Sequence, residues 1–183
     1  MEHVLTLAGQ AATAFVVLIL FRAFWHKITA YLEVVGFAQD YELVPERWTY
    51  GLIRALTVLE GIAILTLALP MTRIFGAALA AGLFAGYFVL MALALKQGKT
   101  QIECGCGGTP QVVSFVTLAR NAVLVVLALG AGLAPDAPVG VFAAGSAILV
   151  ALTLWLSLTV AETLDATRAR EHRVARLTSS KEV

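Results

Sequence analysis

Charge is scarce in this 183-residue chain. Only 14% of its residues are charged and 60% are hydrophobic, whereas an average soluble domain is roughly a quarter charged. Mean hydropathy is +0.86, so lipid is the solvent for most of the chain. The formal net charge of +1 and the lack of a Lys/Arg stripe interleaved with aromatics exclude a nucleic-acid binder. Cysteine is equally sparse. Two cysteines cannot build a disulfide scaffold, and they fall short of the ligands of a structural zinc site. The three histidines, His3, His26 and His172, are scattered, so no metal cluster is expected. A basic leader is missing ahead of the first apolar run, which follows Met1-Glu2-His3, and no A-x-A cleavage pattern comes after it. That run is expected to stay as a membrane span. The apolar runs do not alternate in polarity, which excludes barrel strands, and no internal repeat or low-complexity segment is present.

What is there is a set of five long apolar stretches, each near the ~20 residues that cross about 30 Å of hydrocarbon as a helix. They run from about Val4 to Trp25, Gly51 to Leu69, Ile74 to Leu95, Val112 to Leu133 and Val139 to Val160. The expected fold is an all-α polytopic helical bundle of about five transmembrane helices. Residues 1–165 form one transmembrane domain, and residues 166–183 form a basic tail carrying Arg168, Arg170, His172, Arg173, Arg176 and Lys181. The longest connection, about Thr29 to Tyr50, mixes aromatics and acids at helical spacing, which predicts a short interfacial helix. In the third span Gly76 and Ala80, and Gly82 and Gly86, stand four apart, a spacing that lets helix backbones approach closely.

Five spans impose a parity. The first connection, the connection holding both cysteines and the C-terminal tail share one side of the membrane. Counting ~1.5 Å per residue, Arg22 lies about 9 Å below that surface, Glu60 about 14 Å and Arg120 about 12 Å. A lone charge near a bilayer centre costs about 2.5–3.5 kcal/mol on insertion scales. Glu60 is therefore expected to contact Arg120, with Asn121 or Arg22 nearby, as structural glue or as a functional pair.

Both cysteines fall in Glu103-Cys104-Gly105-Cys106-Gly107-Gly108-Thr109-Pro110. Extended backbone would point the two thiols to opposite faces, and a disulfide needs Cβ atoms about 3.5–4.5 Å apart, so the segment must turn. Gly105, Gly107 and Gly108 supply the freedom for that turn. A bridge closed over one residue is strained, and strained bridges exchange readily. Lys96, Lys99 and Lys27 favour thiolate, while Glu103 opposes it. Three readings of the pair remain: an active dithiol/disulfide, two ordinary thiols, or half of a metal site completed by a partner.

The residues Phe21-Arg22-Ala23-Phe24-Trp25-His26-Lys27, Tyr41-Glu42-Leu43-Val44-Pro45, Leu59-Glu60-Gly61, Cys104-Gly105-Cys106-Gly107-Gly108 and Arg120-Asn121 together resemble the MauE family of methylamine-utilisation proteins, and more broadly the MauE/DoxX group of redox-associated membrane proteins. The resemblance implies a role in maturing methylamine dehydrogenase, whose small subunit is rich in disulfides. It also implies a thioredoxin-like partner of the MauD type. Carried over, Cys104 and Cys106 are the thiols that trade electrons with that partner. By parity and depth, Arg22, His26, Lys27, Glu60, Arg120 and Asn121 are expected to form a supporting polar pocket beneath them. Lys27, Glu60 and Arg120 match the family pattern without an established role. The broader group brings a quinone acceptor into consideration, and no other cofactor is implied.

The implied location is the bacterial inner membrane. Lys27, Arg47, Lys96, Lys99 and the basic tail share the cysteine side, and only Arg73 is clear on the other. Basic loops stay cytoplasmic, so the charge count puts the cysteines at the cytoplasmic face. The implied client folds outside the cytoplasm, which pulls the opposite way. Two further classes of function stand beside thiol chemistry: a non-catalytic anchor or assembly scaffold for the partner, and a small-solute transporter lined by Glu60 and Arg120.

Overall fold

A computed structural model describes residues 2–42, 44–98, 115–135 and 140–179 of the chain, and in its helices the side chains of residues 2, 141, 165–166 and 168–179 are left aside. All of its regular elements are helices: α1 Glu2–Thr29, α2 Tyr31–Asp40, α3 Glu46–Ala68, α4 Arg73–Lys96, α5 Phe115–Leu133 and α6 Val141–Ser179. Backbone N–H and C=O groups cannot be left unpaired in hydrocarbon, and a helix pairs them within one segment. Five helices, all but α2, are long and apolar enough to cross a membrane. The protein is an all-α polytopic membrane protein.

Local chemistry sets the ends. Leu69 is extended ahead of Pro70, and Pro70–Thr72 makes a single 3-10 turn into α4, as expected where proline bars the preceding residue from helical backbone. Gly98, at φ +74°, closes α4 in the left-handed conformation that favours glycine.

The spans α1, α3, α4 and α5 form a closed ring of neighbours in chain order, α1 on α3, α3 on α4, α4 on α5 and α5 on α1. This is a four-helix bundle in up-down-up-down order. Val16, Leu20, Ala63, Leu67, Ala80, Phe84, Leu124 and Ala128 make its buried core. The sixth helix lies outside the ring against α1. It runs without a break from its span into the tail. The predicted interfacial helix is α2, which packs Val34 and Val35 against Ile53 of α3. The outer surfaces are apolar, with Leu65, Phe75, Val126 and Leu149 well exposed toward the lipid.

The small-residue spacing of α4 serves two different surroundings. A Cβ on Gly76 would come within 2.5 Å of the Leu67 backbone N, whereas Gly82 and Gly86 have nothing within 4 Å. Only the first of the two pairs buries a close approach.

Candidate functional site

Parity brings the C-terminal ends of α1 and α4, the N-terminal ends of α3 and α5, and the later part of α6 to one end of the bundle. Two groups of polar side chains lie beneath that end, one buried and one partly buried. The first is inside the ring. Lys27 of α1 donates from Nζ to Glu60 Oε1 of α3 at 2.8 Å. Tyr87 of α4 donates its hydroxyl to the same oxygen at 2.6 Å. Lys27 Nζ also stands 5.4 Å from the centre of the Tyr87 ring, a cation–π distance. Glu60 is 0% exposed and Lys27 3%. Asn121 of α5, also buried, donates from Nδ2 to the Thr117 carbonyl at 2.8 Å. The second group is at the seam of α1, α5 and α6. Glu162 accepts from Arg22 at 2.7 Å and from Arg120 at 2.5 Å, through a different oxygen each time.

The expected Glu60–Arg120 contact is therefore corrected: Glu60 pairs with Lys27, and Arg120 pairs with Glu162. Topology and side-chain direction explain the exchange. Helices α3 and α5 stand diagonally across the ring, so similar depth does not make their residues neighbours. Each Cα–Cβ bond also tilts toward its helix N-terminus. On α1 and α6 that tilt points Lys27 and Glu162 down into the bundle. On α3 and α5 it points Glu60 and Arg120 up toward the polar end. Lys27–Glu60 and Arg120–Glu162 each join a descending side chain to an ascending one, while Arg22 reaches Glu162 from the parallel neighbour α1.

The remaining candidates are placed as follows. Arg22 joins the Glu162 group. His26 is half-buried, and its Nδ1 has no hydrogen-bond partner among the described residues. Cys104 and Cys106 lie outside the described residues. Two contributors escaped the sequence reading. Tyr87 lies nine residues before Lys96, about 14 Å below the polar end at 1.5 Å per residue, the same depth as Glu60. Glu162 sits at the end of the last span, where parity alone puts it on the polar side. Both signals were legible as depth.

The chemistry of the inner group is that of a held charge. A buried carboxylate in hydrocarbon needs its charge answered, and here an ammonium and a phenol both serve one oxygen. The second oxygen, Oε2, is buried without a hydrogen-bond partner among the described residues. It is left able to accept from a further donor. Intramembrane ionisable residues of this kind mark functional positions by default.

A five-span bundle with one ion pair buried inside its ring and a second group at the α6 seam defines a polytopic membrane protein with charged groups within its spans. The particular family follows from comparison with known proteins. Residues 4–135 match the family model described as methylamine utilisation protein MauE. A methylamine utilization protein MauE of Paracoccus denitrificans is 28% identical over 170 residues, covering 86% of this chain and 91% of that protein. One of Methylorubrum extorquens is 35% identical over 129 residues, covering 68% of this chain and 69% of that protein. One of Paracoccus versutus is 34% identical over 107 residues, covering 57% and 58%. No solved structure matches the chain. The chain belongs to the MauE family.

Proposed function

We propose that the protein serves methylamine utilisation as an inner-membrane factor in the maturation of methylamine dehydrogenase, and that it acts by thiol–disulfide exchange through Cys104 and Cys106. The observation that carries this reading is positional. The only two cysteines of the chain fall in the connection between α4 and α5. Gly98 and Phe115, which flank it, stand at the end of the bundle that holds the ion pairs. At ~3.5 Å per extended residue, Cys104 lies within about 21 Å of Gly98.

In the exchange, the thiolate of one cysteine attacks a disulfide of a thioredoxin-like partner and a mixed disulfide forms. The second cysteine then attacks its neighbour's sulfur, closing the Cys104–Cys106 bond and releasing the partner as a dithiol. Two electrons and two protons move from one dithiol to one disulfide, and the reverse reaction has the same balance. The partner supplies the other half of the couple, so no quinone is needed for the exchange itself.

The polar groups support the reading as a frame. Lys27–Glu60–Tyr87 ties α1, α3 and α4 together, and Arg22–Glu162–Arg120 ties α1, α5 and α6. Both cross-links hold the end of the bundle from which the cysteine connection leaves.

The test is trapping. Cys106→Ser leaves Cys104 unable to resolve a mixed disulfide, so a covalent adduct to a thioredoxin-fold protein should accumulate in cells and vanish on reduction. Normal enzyme maturation with both Cys104→Ser and Cys106→Ser in place would sink the exchange reading. It would leave a non-catalytic anchor for the partner.

A further inference from the structure

The long last helix carries a feature that thiol chemistry does not use. Helix α6 has 39 residues, about 58 Å at 1.5 Å per residue, nearly twice a hydrocarbon thickness of about 30 Å. Its apolar span is Phe142–Leu164, and the helix continues to Ser179. The chain writes four arginines into the continuation, Arg168, Arg170, Arg173 and Arg176, with His172, against two carboxylates, Asp165 and Glu171. Arg170, Arg173 and Arg176 recur every three residues. Arg168, His172 and Arg176 recur every four. Positions three and four apart are neighbours along a helix, so the basic positions occupy one broad side of it.

The ion pair at Glu162 fixes how high these positions stand. Helices α1 and α6 run in the same direction, and Arg22 meets Glu162 at 2.7 Å. Thr29, the last residue of α1, is seven residues beyond Arg22. By the same rise it is level with roughly residue 169 of α6. The end of α1 passes directly into the interfacial helix α2, which marks the membrane surface. Arg168 and Arg170 are therefore at the headgroup layer, and Arg173 and Arg176 lie within about 11 Å above it. Arg173 is within one Debye length at physiological salt, about 8 Å, and Arg176 stands just past it; this is the range over which anionic lipid attracts basic residues.

We propose that residues 165–179 are an anionic-lipid-binding arm: a rigid extension of α6 whose basic positions engage phospholipid phosphates of the surrounding leaflet, with Arg22–Glu162–Arg120 setting its height. The argument is charge complementarity at a fixed level. It is independent of the cysteines.

The test uses the full-length protein in nanodiscs of phosphatidylcholine, with or without about 30% phosphatidylglycerol, which raises the anionic surface charge. A spin label on Ser179→Cys, in a Cys104→Ser, Cys106→Ser background, reports the arm. The label should become immobilised in the anionic discs and regain mobility in about 0.5 M salt, where the Debye length shrinks to a few ångströms. Each single Arg→Gln change at 168, 170, 173 or 176 should lower the immobilised-to-mobile ratio about fivefold, since one basic residue at such a surface contributes ~1 kcal/mol. The fourfold Arg→Gln variant should lose the response, with helicity by circular dichroism unchanged. An unaltered label in neutral and anionic discs would overturn the proposal, as would a fourfold variant that responds like the parent. An acidic protein surface would then be the better match for the arm.

Discussion

Lys27 shows how one side chain can decide the interior of this bundle. It lies two residues from the end of α1, yet it is 3% exposed, because its stem reaches down toward Glu60 and leaves the surface behind. Breaking a buried ion pair by removing one partner costs about 3–5 kcal/mol, while replacing both with apolar residues of similar size is often neutral. Lys27→Met should therefore lower stability by about that amount in thermal unfolding in detergent. Adding Glu60→Leu to Lys27→Met should recover most of the loss. A double variant as stable as the parent that no longer supports growth on methylamine would assign the pair a functional role. A stable and active one would make it structural glue. Glu162 behaves differently because it answers two guanidinium groups at once. Glu162→Gln should cost more than Arg22→Gln or Arg120→Gln alone, and the two arginine changes should be non-additive, since they share one partner.

At the scale of elements, the glycines of α4 and α5 separate what packs from what faces lipid. A Cβ on Gly132 of α5 would come within 2.6 Å of the Ala77 Cβ, and one on Gly76 within 2.5 Å of the Leu67 backbone N. Neither neighbour is a flexible chain end that could swing aside. Gly132→Ala and Gly76→Ala should each destabilise by about 1–3 kcal/mol, the usual cost of overpacking. Gly86→Ala meets open space and should be neutral or gain up to ~1 kcal/mol from helix propensity. Denaturation of the three variants side by side checks the contrast. The four-residue spacing in α4 was legible in the sequence, but spacing is the same on every face of a helix. Which repeat was buried depended on where α3 and α5 stood around it. The helices themselves were legible for a simpler reason: an apolar run in lipid has no other way to pair its backbone, so length and composition sufficed to place all five spans.

For the whole molecule, the cysteine connection is a built-in reporter of orientation. The chain has no cysteines besides Cys104 and Cys106, and five spans place their connection on the same side as Lys96 and the basic arm. The weight of Lys and Arg on that side predicts a cytoplasmic face. A membrane-impermeant maleimide should label the protein in inverted vesicles and not in intact spheroplasts. Labelling of spheroplasts would reverse the orientation and put the thiols on the outer face of the membrane. The sequence by itself determined the span count, the interfacial helix, the parity that gathers the polar residues at one end, and the depth of Glu60, because each follows from length and composition along one dimension. The pairing of those residues was decided only by the tertiary structure. Lys27 reached Glu60, and Arg120 reached Glu162, because contact depends on which helices adjoin and on which way each Cβ tilts. Depth along the chain carries neither of those facts.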